Sequence, residues 1–300
     1  MSFNLQFQRR LYAIAVGATA GATVGMVGWG GAQVIIPSMT LSSPFAGLSQ
    51  LSASGVSLAS LSVSTMSSGY KFWQENCVNI PLALAIGIPA VLSARVGSHF
   101  AKKLSGDALM LFFNGFSIIL IPTHFWIQQR ALLRKEVYSA DCQDMANITS
   151  PSSQDIGIQK FFCSDMTNVL SPPVLLQHAS YGLVSGIISS LMGVGGLPLT
   201  MSYITEATDL SHHYVQGTAV CALIPSILMS AASRVQAIPL TTAVCVALGA
   251  MAGGYGGANA ALHLTEEQLR YVYMGSLFLF GGRSAFGAAR SIRMICSKRG

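Results

Sequence analysis

Residues 28–31 read Gly28-Trp29-Gly30-Gly31, and residues 193–196 read Gly193-Val194-Gly195-Gly196. Each lies part-way along an uncharged apolar run, 11–39 in one case and about 174–204 in the other. The match widens outward from the short motif. Gly17, Gly21, Gly28, Gly30 and Gly31 correspond to Gly182, Gly186, Gly193, Gly195 and Gly196 at one constant offset of 165. Five glycines in register on an apolar background indicate an internal duplication. Further along, Gly55 corresponds to Gly217 and Gly87 to Gly249 at an offset of 162, then Gly97 to Gly257 and Gly115 to Gly275 at 160. Loop-length changes in a duplicated gene leave drifting offsets of this kind.

Composition sets the class. Of the 300 residues 51% are hydrophobic and only 9% charged, against roughly 25% charged in a soluble domain. Mean hydropathy is +0.53. So few charges cannot cover a water-facing surface, and the chain reads as an all-α polytopic membrane protein. The net charge of +6 comes from basic residues scattered between apolar runs, so it does not point to nucleic acid. The sequence has no CxxC, no HExxH and no clustered His/Cys set, so neither metal nor cofactor is expected. Cys221, Cys245 and Cys296 lie in or beside apolar runs, where cysteine behaves as a small hydrophobe.

Eight apolar segments are each near the ~20 residues that cross the hydrocarbon layer: 11–39, 49–69, 79–100, 107–127, 174–204, 215–234, 239–262 and 269–288. They fall into two homologous repeats of about four transmembrane segments, 1–128 and 174–300, joined by a polar linker at 129–173. The second repeat ends in a basic tail. The first segment of each repeat is too long for a straight crossing. Its Gly-x-Gly-Gly motif and the proline that follows, Pro37 or Pro198, predict a broken helix. Gly17, Gly21 and Gly25 instead suit close helix packing. Whether the repeats are parallel, or inverted through hairpin-like first segments, stays open on sequence.

With eight crossings and the amino terminus inside, the Lys/Arg bias puts both termini and the linker in the cytosol. The Asn147-Ile148-Thr149 sequon, and a possible Cys142–Cys163 pair, point the other way. Plasma and organellar membranes fit equally, and oligomeric state is not legible.

The paired glycine segments, the stretch Gln216-Gly217-Thr218-Ala219, and Gly97-Ser98-x-x-Ala101-Lys102-Lys103-Leu104-Ser105 resemble the sulfite exporter TauE/SafE family of anion transporters. The resemblance covers both halves and omits the linker. Leu197 stands where such proteins often carry a third glycine, and Ser54-Gly55-Val56-Ser57 replaces a Gly-Thr-Ser-like stretch. The resemblance implies a secondary transporter of small anions, sulfite or an organosulfonate, working by alternating access between the repeats.

The physics of the motif agrees with that implication. An unwound Gly-x-Gly-Gly aims backbone N–H groups at a compact oxyanion, and the next half-helix presents its partially positive end. Paired breaks at matching positions are the usual pointer to a transporter site. The expected cradle is Gly28, Gly30 and Gly31 with Gly193, Gly195 and Gly196. Gln33, Gln216, Thr218, Ser54 and Ser57 are candidates for added specificity, set against the ordinary role of such residues in helix contacts. Arg95, late in the third segment, is the candidate in-span cation, with snorkelling beside His99, Lys102 and Lys103 as its rival reading. Arg234, Arg283, His124, His178, His212 and His213 sit near segment ends and read as interfacial. The expected partners are a small inorganic or organosulfur anion and the lipid bilayer. Gly-x-Ser-x-Gly, paired in-span aspartates and a His-rich helix are all absent, which argues against an intramembrane enzyme. An anion channel is the alternative.

Overall fold

The computed structural model describes residues 2–29, 31–41, 48–146, 171–208 and 210–276, together with 278, 279 and 282. Gly30, the sequon at Asn147, Cys163 and Arg283 lie outside the described residues. The elements are α1 (Ser2–Val27), α2 (Gly31–Leu41), α3 (Gln50–Gln74), α4 (Ile80–Lys103), α5 (Gly106–Ala146), α6 (Pro172–Met192), α7 (Leu197–Ala207), α8 (His212–Ser233), a 3-10 turn (Val235–Ala237) and α9 (Leu240–His263). α10 covers 266–276. Among the described residues there is no strand.

Six helices contain stretches long and apolar enough to cross a membrane: Gln6–Val27, Ile80–Lys103, Gly106–Ile127, Pro172–Met192, His212–Ser233 and Leu240–His263. α3 is 25 residues long, about 37 Å at 1.5 Å per residue, yet it is not among them. Its serines lower its hydropathy, and its position explains why they are tolerated. It packs against α2, α8 and α9, and most of its residues are buried. Its hydroxyls turn back onto their own helix: Ser60 donates to Val56 O, Thr65 to Leu61 O and Ser68 to Ser64 O, each at 2.8 Å. Back-bonding of this kind satisfies a hydroxyl where no water reaches it.

Glycine seams set the helix directions. A Cβ built on Gly17 would lie 2.0 Å from Val246 O, on Gly21 2.3 Å from Ala250 O, and on Gly25 2.2 Å from Gly254 O. Both partners advance together, so α1 and α9 run parallel, backbone against backbone, in small-residue packing. In the same way Gly182 meets Ile86 O at 2.3 Å and Gly186 meets Ala90 O at 2.3 Å, so α6 and α4 run parallel. α3 runs with α9, since Val56 shares a cluster with Ala243 and Val246 while Phe72 shares one with Ala258 and Ala261. α8 runs against α3: Gly217 meets Phe72 and Cys77, and Gly55 meets Ile238 and Arg234.

These directions overturn the eight-crossing count. Let the near end be the one that holds the start of α1. After α1 the chain turns at Gly28, and α2 folds back. Gly31 lies beside Val24 and Leu61, while Ile35 and Met39 join Ala13, Val16 and Val56. The first segment is therefore a hairpin that returns to the near end. The second, α6 and α7, is a hairpin that enters from the far end. Pro37 sits inside α2 and Pro198 in the first turn of α7, so the glycines make both turns and neither proline breaks a helix. α5 rises from Gly106, beside Gln50 at the near end, to His124, against Tyr273 at the far end. The amino terminus and the start of the linker thus lie at opposite ends of the bundle, not on one side. The single-crossing assumption failed because hydropathy counts apolar residues without seeing direction.

This arrangement has a direct test. The eight-crossing count puts Ser105 and Thr265 on the same side of the membrane, whereas the folded chain puts them on opposite sides. In a cysteine-free background, Ser105→Cys and Thr265→Cys are expected to react with an impermeant maleimide from opposite faces of sealed vesicles. Labelling of both from one face would refute the hairpins.

Candidate functional site: two hairpin turns

Each turn is built by glycine at positive φ. Gly28 has φ +68°, and Gly193, Gly195 and Gly196 have +78°, +82° and +71°. Left-handed backbone costs an L-residue roughly 1–2 kcal/mol, so a run of three such positions at 193–196 demands glycine. Gly193 caps α6, its N–H bonding Ser189 O, and Gly196 starts α7.

The first turn meets α8. Gln216, fully buried, donates from Nε2 to Gly25 O at 2.7 Å, and its Oε1 has no partner. A Cβ on Gly28 would lie 3.4 Å from Gln216 Cγ. Thr218 accepts from the Asn79 N–H at 2.9 Å and so ties α8 to the start of α4. Around this turn stands an aromatic and polar group that sequence reading missed. Trp29 stacks on His124 with centroids 5.6 Å apart. His124 Nδ1 lies 2.7 Å from both Tyr273 Oη and Ser202 Oγ. His124 is 1% exposed, so it is a core residue, not the interfacial one its place near a segment end suggested. His178 is buried as well, paired with Tyr203 Oη at 2.7 Å.

The second turn meets α3. Ser57 donates to Gly193 O at 3.1 Å, and Ser54 donates to Leu51 O at 2.9 Å. Arg234 reaches the same place from the end of α8. Its guanidinium donates to Ser54 Oγ, to Ser190 O, and to Leu191 O at 3.2 Å. Arg234 is 1% exposed, so the snorkelling expected from its place in the sequence does not occur. A cation withdrawn from water is strongly destabilising unless paired. Among the described residues no carboxylate forms an ion pair with it.

The glycines therefore gather into two clusters, not one cradle. Gly28 joins Gln216, and Gly193 joins Ser54, Ser57 and Arg234. Between them lies Leu61, 1% exposed. A Cβ on Gly31 would come 2.6 Å from its Cδ2, and one on Gly195 3.3 Å from its Cδ1. Leu61 packs there with Val24, Ala32, Val194 and Ile227, an apolar plug between the turns. Gln33 bonds Ser117 Oγ on α5. Arg95 is exposed and stands apart from both. It approaches Met229 Sδ at 3.5 Å and lines an outer cleft with Ser98, His99, Lys102 and Ser233. The signal for Arg234 was present in the sequence as an asymmetry. At the offset that matches Gly55 to Gly217, Gln216 corresponds to Ser54, which is too short for the same reach.

Two hairpins inserted from opposite ends of a bundle of long apolar helices describe a multi-pass integral membrane protein. The model for the family "Sulfite exporter TauE/SafE" matches residues 13–284, and the chain belongs to that family of membrane transporters. It is also similar to the "Probable membrane transporter protein YdhB" of Bacillus subtilis (strain 168), with 22% identity over 267 residues covering 86% of this chain and 91% of that protein. No solved structure matches.

Proposed function

We propose that this chain carries a small sulfur oxyanion, sulfite or an organosulfonate, by alternating access between two inverted repeats. The observation that carries the reading is that three backbone-close glycine contacts between the halves each have a twin. Gly17 on Val246 matches Gly182 on Ile86, Gly21 on Ala250 matches Gly186 on Ala90, and Gly257 on Ala22 matches Gly97 on Ile187. The twins are related by 165 in the first helices and 160 in the third. Helix bounds agree: Ile80–Lys103 and Leu240–His263 are both 24 residues and 160 apart at either end. This register places the length change before the third helix, so Gly87 and Gly249 are not true counterparts. Each repeat then holds a hairpin that returns to its own side and three further helices, an odd number of crossings, which makes the second repeat run in the opposite sense to the first.

Inverted repeats with interrupted first segments are a recurrent carrier design. The donors at both turns, the positive guanidinium at one of them and the scarcity of carboxylate suit an anion. Leu61 lies between the two turns, an arrangement that suits a carrier opening to one side at a time.

The test is flux of sulfite, a sulfonate and sulfate into liposomes holding the purified protein, with and without a proton gradient. Saturable flux of sulfite or the sulfonate is the expected result. A folded, correctly inserted protein that moves no sulfur oxyanion would sink the proposal.

A further inference from the structure

We infer that the two turns are chemically unequal, and that Arg234 at the second turn supplies the positive charge that binds the oxyanion. This rests on the carrier reading above and names the group that makes it selective for anions. The comparison of one turn with the other carries the argument. At the first, a carbonyl in the last turn of α1, Gly25 O, is held by the neutral Gln216 amide at 2.7 Å. At the second, the corresponding carbonyl is Ser190 O, and Arg234 holds it. Ser54 stands where Gln216 would, and Arg234 bonds that serine too. A neutral glutamine thus suffices to hold such a turn. The chain instead uses a full cation, buried to 1% exposure and with no carboxylate partner among the described residues. Carbonyls and a hydroxyl accept its hydrogen bonds but leave its charge uncompensated.

Unused donors mark the same place. Arg234 Nε has no partner, and neither does the buried Ser189 Oγ one turn from the end of α6. A Cβ on Gly196 would lie 3.4 Å from that Ser189 Oγ. The start of α7 adds N–H groups without partners inside the helix and the positive end of its dipole. Guanidinium, hydroxyl and backbone donors converging on one turn are the recognition set for a compact oxyanion. The first turn is lined by the rings of Trp29, His124 and Tyr273 and by the neutral Gln216 amide. Binding is therefore centred on the second turn.

Symmetry supplies the experiment. The double variant Ser54→Gln/Arg234→Met rebuilds the second turn on the plan of the first, with a glutamine in place of the cation. Wild type, this double variant, Arg234→Lys and Arg234→Gln are purified and reconstituted. Flux of sulfite and sulfate is measured, together with the shift in unfolding temperature that sulfite, sulfate, acetate or chloride produces. The double variant is expected to unfold at the wild-type temperature, lose at least tenfold of the flux, and show no stabilisation by sulfite. Wild-type flux and stabilisation in the double variant would overturn the inference, because Arg234 would then only hold the turn. Should the double variant not fold, the single variants decide. Retention in Arg234→Lys with loss in Arg234→Gln supports the inference, and equal behaviour of the two overturns it. Wild type stabilised by an oxyanion in an Arg234-dependent way, yet moving none, would leave this site standing and remove the carrier reading alone.

Discussion

Gly193→Ala is expected to lower anion flux at least tenfold while leaving the protein folded. The residue sits at φ +78°, where alanine is disfavoured by roughly 1–2 kcal/mol. Its Cβ would also lie 2.8 Å from Ser54 Cβ, closer than two such atoms pack, so turn and helix must part. That strain is small beside the packing of a bundle this size. It falls, however, on the contact that holds Ser57 to Gly193 O and brings Arg234 to the end of α6. Flux into liposomes, set against unfolding temperature and elution profile, separates the two effects. Wild-type flux would show that the second turn does not shape the site.

The largest expected effect on folding contrasts two glycines one turn apart on α9. A Cβ on Gly253 would lie 2.1 Å from Ala18 O, whereas one on Gly256 meets nothing within 4 Å. Gly253→Leu must force apart two helices in backbone contact. Overpacking typically costs about 1–3 kcal/mol, and here rigid backbone opposes it on both sides. Gly253→Leu is expected to yield aggregated protein in detergent, and Gly256→Leu a monodisperse peak of normal stability. Similar recoveries of the two would mean that α1 and α9 are not packed as described.

Much of this architecture was legible because close approach leaves a compositional mark. Gly17, Gly21 and Gly25, with Gly28, Gly193, Gly195 and Gly196, stand out since a side chain is penalised at those contacts or those backbone angles. Direction left no such mark. Residues 11–39 have the same hydropathy whether they cross once or fold back after Gly28. Side-chain destination was equally hidden. Arg95 and Arg234 both lie near the end of an apolar segment, but one projects from the exposed face of α4 while the other is drawn inward by Ser54, 180 positions earlier in the chain. Charge at a segment end reads as snorkelling unless the facing helix is known. His124 was misread for the same reason: its partners Ser202 and Tyr273 come from elements far along the chain.

The seam between α1 and α9 also constrains how the molecule is made. Ribosomal synthesis delivers α1 more than 200 residues before its parallel partner, so the Gly17-Gly21-Gly25 face enters the bilayer with nothing to lie against. α4 waits likewise for α6. Neither sequence repeat is therefore a unit of assembly. A chain truncated after residue 128 would hold its hairpin and glycine face open to lipid, a natural target for insertion chaperones and membrane proteases. Completion of α9 is the event that covers the glycine face of α1.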